Sequence, residues 1–305
     1  MTFERWGVPV ALGDRRVLHP GMLRWLRALG WMVLSGFVCA LAFALPHSGM
    51  SALLPDTEPA AAGAALVGAV VALIAYWLLV RFGEAREADE IALKAAPAGL
   101  ILGLIIGTAM FASVMGIMAA FGLYDIVWSG PASPWQAITG AIQSGVLEEL
   151  IIRAVMLRLL WRAFGPWAAF AVSAAFFGAA HLANPNATPF AALCIAIEAG
   201  IMLGAFYALT GRLWVSIGVH AAWNFTQGYL FGAAVSGTGF GPAIAHSTAR
   251  AGVSEILTGG AFGPEASLPG LFVGTLVGVV VMVMAWKAGR FAKPVVEVAP
   301  AAAPG

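Results

Sequence analysis

The chain has 305 residues, of which 61% are hydrophobic and 10% are charged. Soluble globular domains carry about a quarter charged residues, so this composition excludes an ordinary soluble protein and indicates a polytopic membrane protein. The net charge of +1 at pH 7 gives no support to nucleic-acid binding, which normally leaves a basic patch or stripe. We therefore expect a lipid bilayer as a partner and no nucleic acid.

Apolar windows of about 20 residues, the length that crosses a hydrocarbon core of about 30 Å, divide the chain. They predict an all-α membrane bundle of about eight transmembrane helices. Turn-forming residues, among them Pro46, Pro55 and the Gly130-Pro131 pair, fall in the gaps between the windows. The windows lie near residues 25–45, 60–80, 98–120, 136–158, 165–183, 189–209, 213–232 and 269–288.

The distribution of basic residues predicts the orientation, because Lys and Arg concentrate in cytoplasmic loops. With eight spans, all of the 16 Lys and Arg residues except Arg250 fall on one side. Both termini are therefore predicted to be cytoplasmic. One missed or invented span would scatter the downstream charges onto both faces, so the charges also support the number eight.

The segments around the central spans differ in character. Residues 1–24 are predicted as a cytoplasmic N-terminal segment and residues 25–96 as two accessory transmembrane helices. Residues 233–268, rich in Ala, Gly, Ser and Thr, form an external loop that could be a mobile lid or a spacer. Residues 269–293 hold the last span, and residues 294–305 are predicted to be a disordered tail. No internal repeat suggests an inverted-repeat transporter.

The ionisable residues inside the fourth predicted span have the highest free-energy cost of burial in a membrane. Glu148, Glu149 and Arg153 lie there, and charged groups at membrane depth usually face a bundle interior, find partners and serve a function. Glu149 and Arg153 are four residues apart, so they can pair on one helix face. Glu148 lies about 100° further round the helix and can therefore face a different partner.

Later spans add four polar residues. His181 lies near the end of the fifth span, Glu198 in the sixth, and His220 and Asn224, four residues apart, in the seventh. An unbroken fifth helix from Pro166 would put His181 about 22 Å from its cytoplasmic end, whereas His220 would lie about 10 Å from the cytoplasmic end of its own helix. The two imidazoles meet only if the helices tilt, break or begin later.

This set of side chains suits the hydrolysis of a stable bond. A carboxylate in a poorly solvated site can act as a general base on water. Imidazoles can ligate zinc or polarise a carbonyl, while Asn and His can donate hydrogen bonds to an oxyanion. Membrane depth excludes bulk water, which strengthens each of these electrostatic interactions.

Three short motifs follow one another in the predicted spans. They are Glu148-Glu149-x-x-x-Arg153, Phe177-x-x-x-His181 and His220-x-x-x-Asn224. In order and spacing they resemble the three motifs of the type II CAAX prenyl protease and bacteriocin-processing (CPBP, or Abi) family of intramembrane proteases. Each motif alone is weak, whereas three in order, each inside a span, form a strong pattern. The resemblance covers residues 97–232, which it identifies as a CPBP-like protease core.

The resemblance implies an endopeptidase that hydrolyses a peptide bond at or in the bilayer. Carried over by position, it implies that Glu148 and His181 activate the attacking water. His220 and Asn224 would then stabilise the oxyanion or bind a metal. The implied substrate is a peptide or a membrane protein, with or without a prenyl group, and the expected location is a bacterial cytoplasmic membrane.

Three further residues have supporting roles in this interpretation. Glu149 and Arg153 match the second acidic position and the basic position of the first motif. Glu198 lies outside the three motifs, and we interpret it as a ligand or a wall residue of the site.

The resemblance leaves the metal question open, because it fits both a zinc metalloprotease and a glutamate-dependent peptidase without metal. If zinc is present, His181, His220 and Glu148 are the expected ligands. No His-Glu-x-x-His motif favours zinc.

Two other functions are compatible with the same residues. One is a non-catalytic membrane scaffold or bacteriocin-immunity protein that uses the pocket to bind a partner. The other is a proton-coupled transporter, whose intramembrane acids and histidines would relay protons; the absence of visible repeats weighs against it.

Overall fold

The computed structural model describes residues 7–291, so the predicted tail at 294–305 and the first six residues lie outside the described part. Helices occupy each of the eight predicted windows. In chain order the elements are α1 (Arg24–Leu53), α2 (Glu58–Leu78), α3 (Ala96–Ala120), β1 (Tyr124–Trp128), α4 (Trp135–Ile142), α5 (Arg158–Phe164), α6 (Pro166–Ala180), α7 (Pro189–Ile195), α8 (Met202–Thr210), α9 (Leu213–Phe225), β2 (Ala245–Ala249), α10 (Glu255–Thr258) and α11 (Leu268–Lys287).

Six helical stretches within residues 7–291 are long and apolar enough to cross a membrane. They are Arg24–Leu53, Glu58–Glu84, Asp89–Ala120, Pro166–Ala183, Pro189–Thr210 and Leu268–Lys287. The result confirms an all-α polytopic membrane bundle. The windows at 136–158 and 213–232 are also helical but are not among the six, and they carry two of the three polar motifs. The number eight and the cytoplasmic position of both termini stay predictions.

The turn expected at Pro46 is wrong, because Pro46 lies inside α1. The chain leaves the helix only after Leu53, close to Pro55, which does lie in a gap as predicted. An internal proline removes one backbone hydrogen bond, and membrane helices tolerate it where neighbouring groups satisfy the freed carbonyl. A proline is therefore weaker evidence for a helix end in this chain than in a soluble protein.

The helices nearest the polar motifs are locally widened into π-helix. Two π-helical segments, Gln143–Glu148 and Leu150–Leu157, join α4 to α5, and a third, Ala196–Ile201, joins α7 to α8. They contain Glu148 and Arg153 of the first motif. Such π segments are rare and occur frequently at functional sites, since the extra residue in the turn changes the direction of the side chains that follow.

Close packing of α3 on α9 fixes the helix that carries the third motif. A Cβ atom on Gly103 would lie 2.4 Å from the backbone oxygen of Val215, and one on Gly107 would lie 2.3 Å from that of Val219. Real Cβ atoms do not come so close, so these two positions of α3 require glycine. The two backbones approach each other through small residues, as is usual between membrane helices. The contact at Val219 lies one residue before His220, so this packing fixes the part of α9 that carries His220.

A short β-ribbon joins two connecting segments, which the prediction of helices alone did not include. Strands β1 and β2 pair antiparallel, with Tyr124 opposite Ala249. The segment 233–268 also contains α10 and is tied back on itself, because the amide of Gly237 donates to the carbonyl of Phe262 at 2.7 Å. This segment packs against the bundle and carries a residue of the site described next.

Candidate active site

A cavity of about 30 Å³ lies among the helices that carry the second and third motifs. It is large enough to hold a water molecule. His181, His220 and Asn224 all line it. The ring of Phe177 lies 4.7 Å from that of His181 and 6.3 Å from that of His220. The two imidazoles therefore share one site, although counting residues along each helix put them at different depths.

The buried carboxylate of Glu149 connects the first motif to the third. Its Oε1 accepts a hydrogen bond from Nη1 of Arg153 at 2.7 Å and another from Nδ1 of His220 at 2.8 Å. Glu149 and Arg153 are fully buried, and His220 is 7% exposed. The predicted pairing of Glu149 with Arg153 on one helix face is confirmed. A second helix, α9, joins the pair through His220, a contact that the spacing alone did not indicate.

Arg153 is held from two further sides. Its Nη2 donates to the backbone oxygen of Ala199 at 2.6 Å, and its guanidinium carbon lies 4.9 Å from the ring centre of Phe177. A cation over an aromatic face at this distance is favourable, more so when both are desolvated. Arg153 thus joins three helices and fixes the orientation of Glu149.

The hydrogen bonds determine which nitrogen of each histidine is free. Nδ1 of His181 lies 2.8 Å from the carbonyl oxygen of Phe177, and a carbonyl can only accept, so Nδ1 carries the hydrogen. The neutral His181 ring therefore presents an unprotonated Nε2. Nδ1 of His220 donates to Glu149, which directs Nε2 of His220 toward Glu148.

Glu148 approaches the cavity through His220. Its Oε2 lies 3.9 Å from Nε2 of His220, and this buried oxygen has no hydrogen-bond partner. Within residues 7–291, no hydrogen bond or ion pair joins Glu148 to His181. The predicted sharing of one water by these two side chains stays a prediction. Glu148 and Glu149 both face His220, at Nε2 and Nδ1 respectively, so the separate partner expected for Glu148 from its position on the helix is not observed.

Asn224 has a partner that was not singled out from the sequence. Its Nδ2 donates to Oγ of Ser144 at 2.9 Å, and that hydroxyl donates to the carbonyl oxygen of Gly140. Ser144 lies four residues before Glu148, so both are on one face of the helix, and this spacing was a usable signal. The contact leaves one amide hydrogen of Asn224 for another acceptor.

Two further buried carboxyl groups line the same cavity. Glu198, on the π segment between α7 and α8, is 2% exposed, in agreement with its interpretation as a wall residue. Glu265, also 2% exposed, reaches the cavity from the turn before α11. Burial raises the pKa of the Glu265 carboxyl, while hydrogen bonds from Ser236 and the nearby His181 act to lower it.

Glu265 could not have been assigned to the site from periodicity, because its segment has none. A weak signal was its position directly before the last apolar window, where the chain is predicted to re-enter the membrane.

Part of the chain matches a known protein family. The family is described as type II CAAX prenyl endopeptidase Rce1-like, and residues 130–226 match it. Those residues contain all three motifs. The match confirms the resemblance and supports a membrane endopeptidase in general. No curated protein and no solved structure matches the chain.

The matched part excludes α1 to α3, the segment 233–268 and α11. Glu265 therefore contributes to the cavity from outside the part that resembles the family.

The expected zinc ligands do not form a metal-binding group in this structure. Within residues 7–291, no group of three or more His, Cys, Asp and Glu side chains is arranged to hold a metal ion. Nε2 of His220 and Oε2 of Glu148 face each other at 3.9 Å. The zinc site expected at His181, His220 and Glu148 stays a prediction, and no catalytic step below uses a metal.

Proposed function

We propose that this protein is an intramembrane endopeptidase that hydrolyses a peptide bond with a water molecule activated by Glu148. The observation that supports it most is the meeting of His181, His220 and Asn224 at one cavity, with Glu148 3.9 Å from His220. The family match over residues 130–226 agrees with this chemistry.

The first step in this proposal places water between Glu148 and His181. Oε2 of Glu148 is a buried acceptor without a partner, so it can take one proton of the water. The free Nε2 of His181 accepts a hydrogen bond from the other hydrogen. The water oxygen then bonds to the carbonyl carbon of the peptide, and a tetrahedral intermediate forms with one negative oxygen.

His220 and Asn224 stabilise that negative oxygen. Asn224 has one amide hydrogen left after its bond to Ser144, and a protonated His220 donates through Nε2. Glu149 supports the imidazolium through Nδ1, as a buried carboxylate does in the serine protease triad. Donors fixed in advance are effective here because they need no reorganisation when the charge develops.

Collapse of the intermediate completes the reaction. Glu148 returns its proton to the departing nitrogen, the carbon–nitrogen bond breaks, and the products are a carboxylic acid and an amine. Glu148 is thereby restored to its ionised form. We infer that the substrate is a peptide or a membrane protein, prenylated or plain, and that the enzyme acts in a bacterial cytoplasmic membrane.

The test is cleavage of quenched fluorescent peptides, prenylated and plain, by detergent-purified protein. Wild type is compared with Glu148→Gln and with Glu87→Gln, a control in which the lost carboxylate is 71% exposed and lies outside the cavity. We expect wild type and Glu87→Gln to cleave and Glu148→Gln to be at least a hundredfold slower, the usual effect of removing a general base.

Adding a chelator in the same experiment tests whether the peptidase activity requires zinc. The proposed mechanism predicts an unchanged rate with chelator. Loss of activity that zinc restores would instead assign His181, His220 and Glu148 as ligands, as the family resemblance allows.

The alternatives predict other results. A scaffold or immunity protein would cleave no peptide and would keep its cellular function in the Glu148→Gln variant. A proton-coupled transporter would show substrate-dependent proton flux in proteoliposomes.

A further inference from the structure

Five glutamates are buried in residues 7–291, and they fall into two groups. Glu84, Glu90 and Glu149 each form an ion pair with a buried or half-buried arginine at 2.6 to 2.7 Å. Glu198 and Glu265 form no ion pair within the described residues. Both of these unpaired glutamates line the cavity of the candidate active site.

Glu198 is held firmly but has no polar partner. It is 2% exposed, and its buried Oε2 lacks a hydrogen bond. Helix α11 packs directly on it, since a Cβ atom on Gly274 would lie 2.4 Å from Cβ of Glu198. The side chain therefore has little room to move away from the cavity that it lines.

Glu265 faces the same cavity from the segment that precedes α11. Its Oε1 accepts hydrogen bonds from the amide of Ser236 at 2.6 Å and from the hydroxyl of Ser236 at 2.8 Å. These two donors hold the carboxyl group in a fixed orientation. The ionisable group of the chain that acts on it to favour its charge is His181, and no Lys or Arg of the described residues forms an ion pair with it.

A buried carboxylate without a cation is costly, and proteins usually pair such groups or leave them protonated. The three glutamates outside the cavity wall are paired by this chain's own arginines, whereas no Lys or Arg of the described chain reaches Glu198 or Glu265. The missing cation can come from a molecule that enters the cavity. A peptide supplies one as the ammonium of Lys or the guanidinium of Arg.

We propose that Glu198 and Glu265 form a recognition subsite for a basic side chain of the substrate, next to the scissile bond. The inference rests on the proposed endopeptidase function. It assigns a role in selectivity to the segment 233–268 and to α11, both of which lie outside the part that matches the family. The enzyme would therefore select peptides that carry Lys or Arg beside the cleaved bond.

The test uses two peptides that differ only in Lys or norleucine next to the scissile bond. Wild type is expected to show a kcat/KM at least tenfold higher for the Lys peptide. Glu198→Gln and Glu265→Gln, measured separately, should each reduce that preference to nearly one. Glu87→Gln should keep the full preference, because its carboxylate is on the surface. Equal cleavage of both peptides by wild type would overturn the subsite and leave the endopeptidase proposal intact.

A binding measurement makes the subsite testable even if no peptide is cleaved. Fluorescence anisotropy gives the Kd of each labelled peptide for the Glu148→Gln protein and for the same protein with Glu198→Gln added. Tighter binding of the Lys peptide that disappears in the double variant would support the subsite independently of turnover. Equal Kd values for the two peptides would contradict it.

Discussion

Replacing Glu149 by Gln tests the network that orients His220. The carboxylate is fully buried and accepts hydrogen bonds from Arg153 at 2.7 Å and from His220 at 2.8 Å. Its removal leaves a buried guanidinium without a counter-charge, which typically costs about 3 to 5 kcal/mol. Arg153 keeps its bond to Ala199 and its position over the ring of Phe177, and the amide oxygen of Gln remains an acceptor. We therefore expect a loss near the lower end, about 3 kcal/mol.

The assay is unfolding in mixed micelles with increasing SDS, followed by tryptophan fluorescence. A double variant, Glu149→Gln with Arg153→Met, removes both charges and should recover most of the lost free energy of unfolding, because no unpaired ion remains. Its peptidase activity should stay low, since His220 still lacks its carboxylate. A Glu149→Gln protein as stable as wild type, or a double variant no more stable than the single one, would refute this account.

Three more predictions concern positions away from the cavity. Gly107→Ala should lower the free energy of unfolding by about 1 to 3 kcal/mol and should also lower activity, because its Cβ would lie 2.3 Å from the backbone oxygen of Val219. Thermal unfolding measures the first effect and peptide cleavage the second. Glu84→Gln should cost about 3 to 5 kcal/mol in the same unfolding assay, because both terminal nitrogens of buried Arg158 donate to that carboxylate at 2.9 and 2.6 Å. Burial raises the pKa of Tyr124 from 10.0 to about 12, so the stability it provides is complete below pH 10 and is lost as pH rises through 12. Thermal unfolding of Tyr124→Phe should lack that alkaline decrease.

Much of what could be predicted comes from patterns along single helices, namely apolar length and the spacing of polar residues. The positions of the helices follow from apolar length alone. The pairing of Glu149 with Arg153 and the shared face of His220 and Asn224 follow from a spacing of four residues. These features depend on neighbours along one helix, and the sequence contains that information directly.

Contacts between segments that are far apart in the sequence could not be predicted from spacing along one helix. The buried pair of Arg158 with Glu84 joins α5 to the π-helical segment Leu79–Glu84 that follows α2. These residues are 74 positions apart, so no spacing along one helix indicates their contact. Glu265 enters the cavity from a segment without periodicity. Pro46 has the local chemistry of a turn, whereas the membrane favours an unbroken helix.

The most direct test of the central claim is the origin of the oxygen in the product. A peptide cleaved by the wild-type protein in H₂¹⁸O would be analysed by mass spectrometry. The account predicts one heavy oxygen in the new carboxyl group of the N-terminal fragment, and no such fragment from Glu148→Gln at equal incubation. Fragments without heavy oxygen, or labelled fragments formed equally fast by Glu148→Gln, would contradict the activation of water by Glu148.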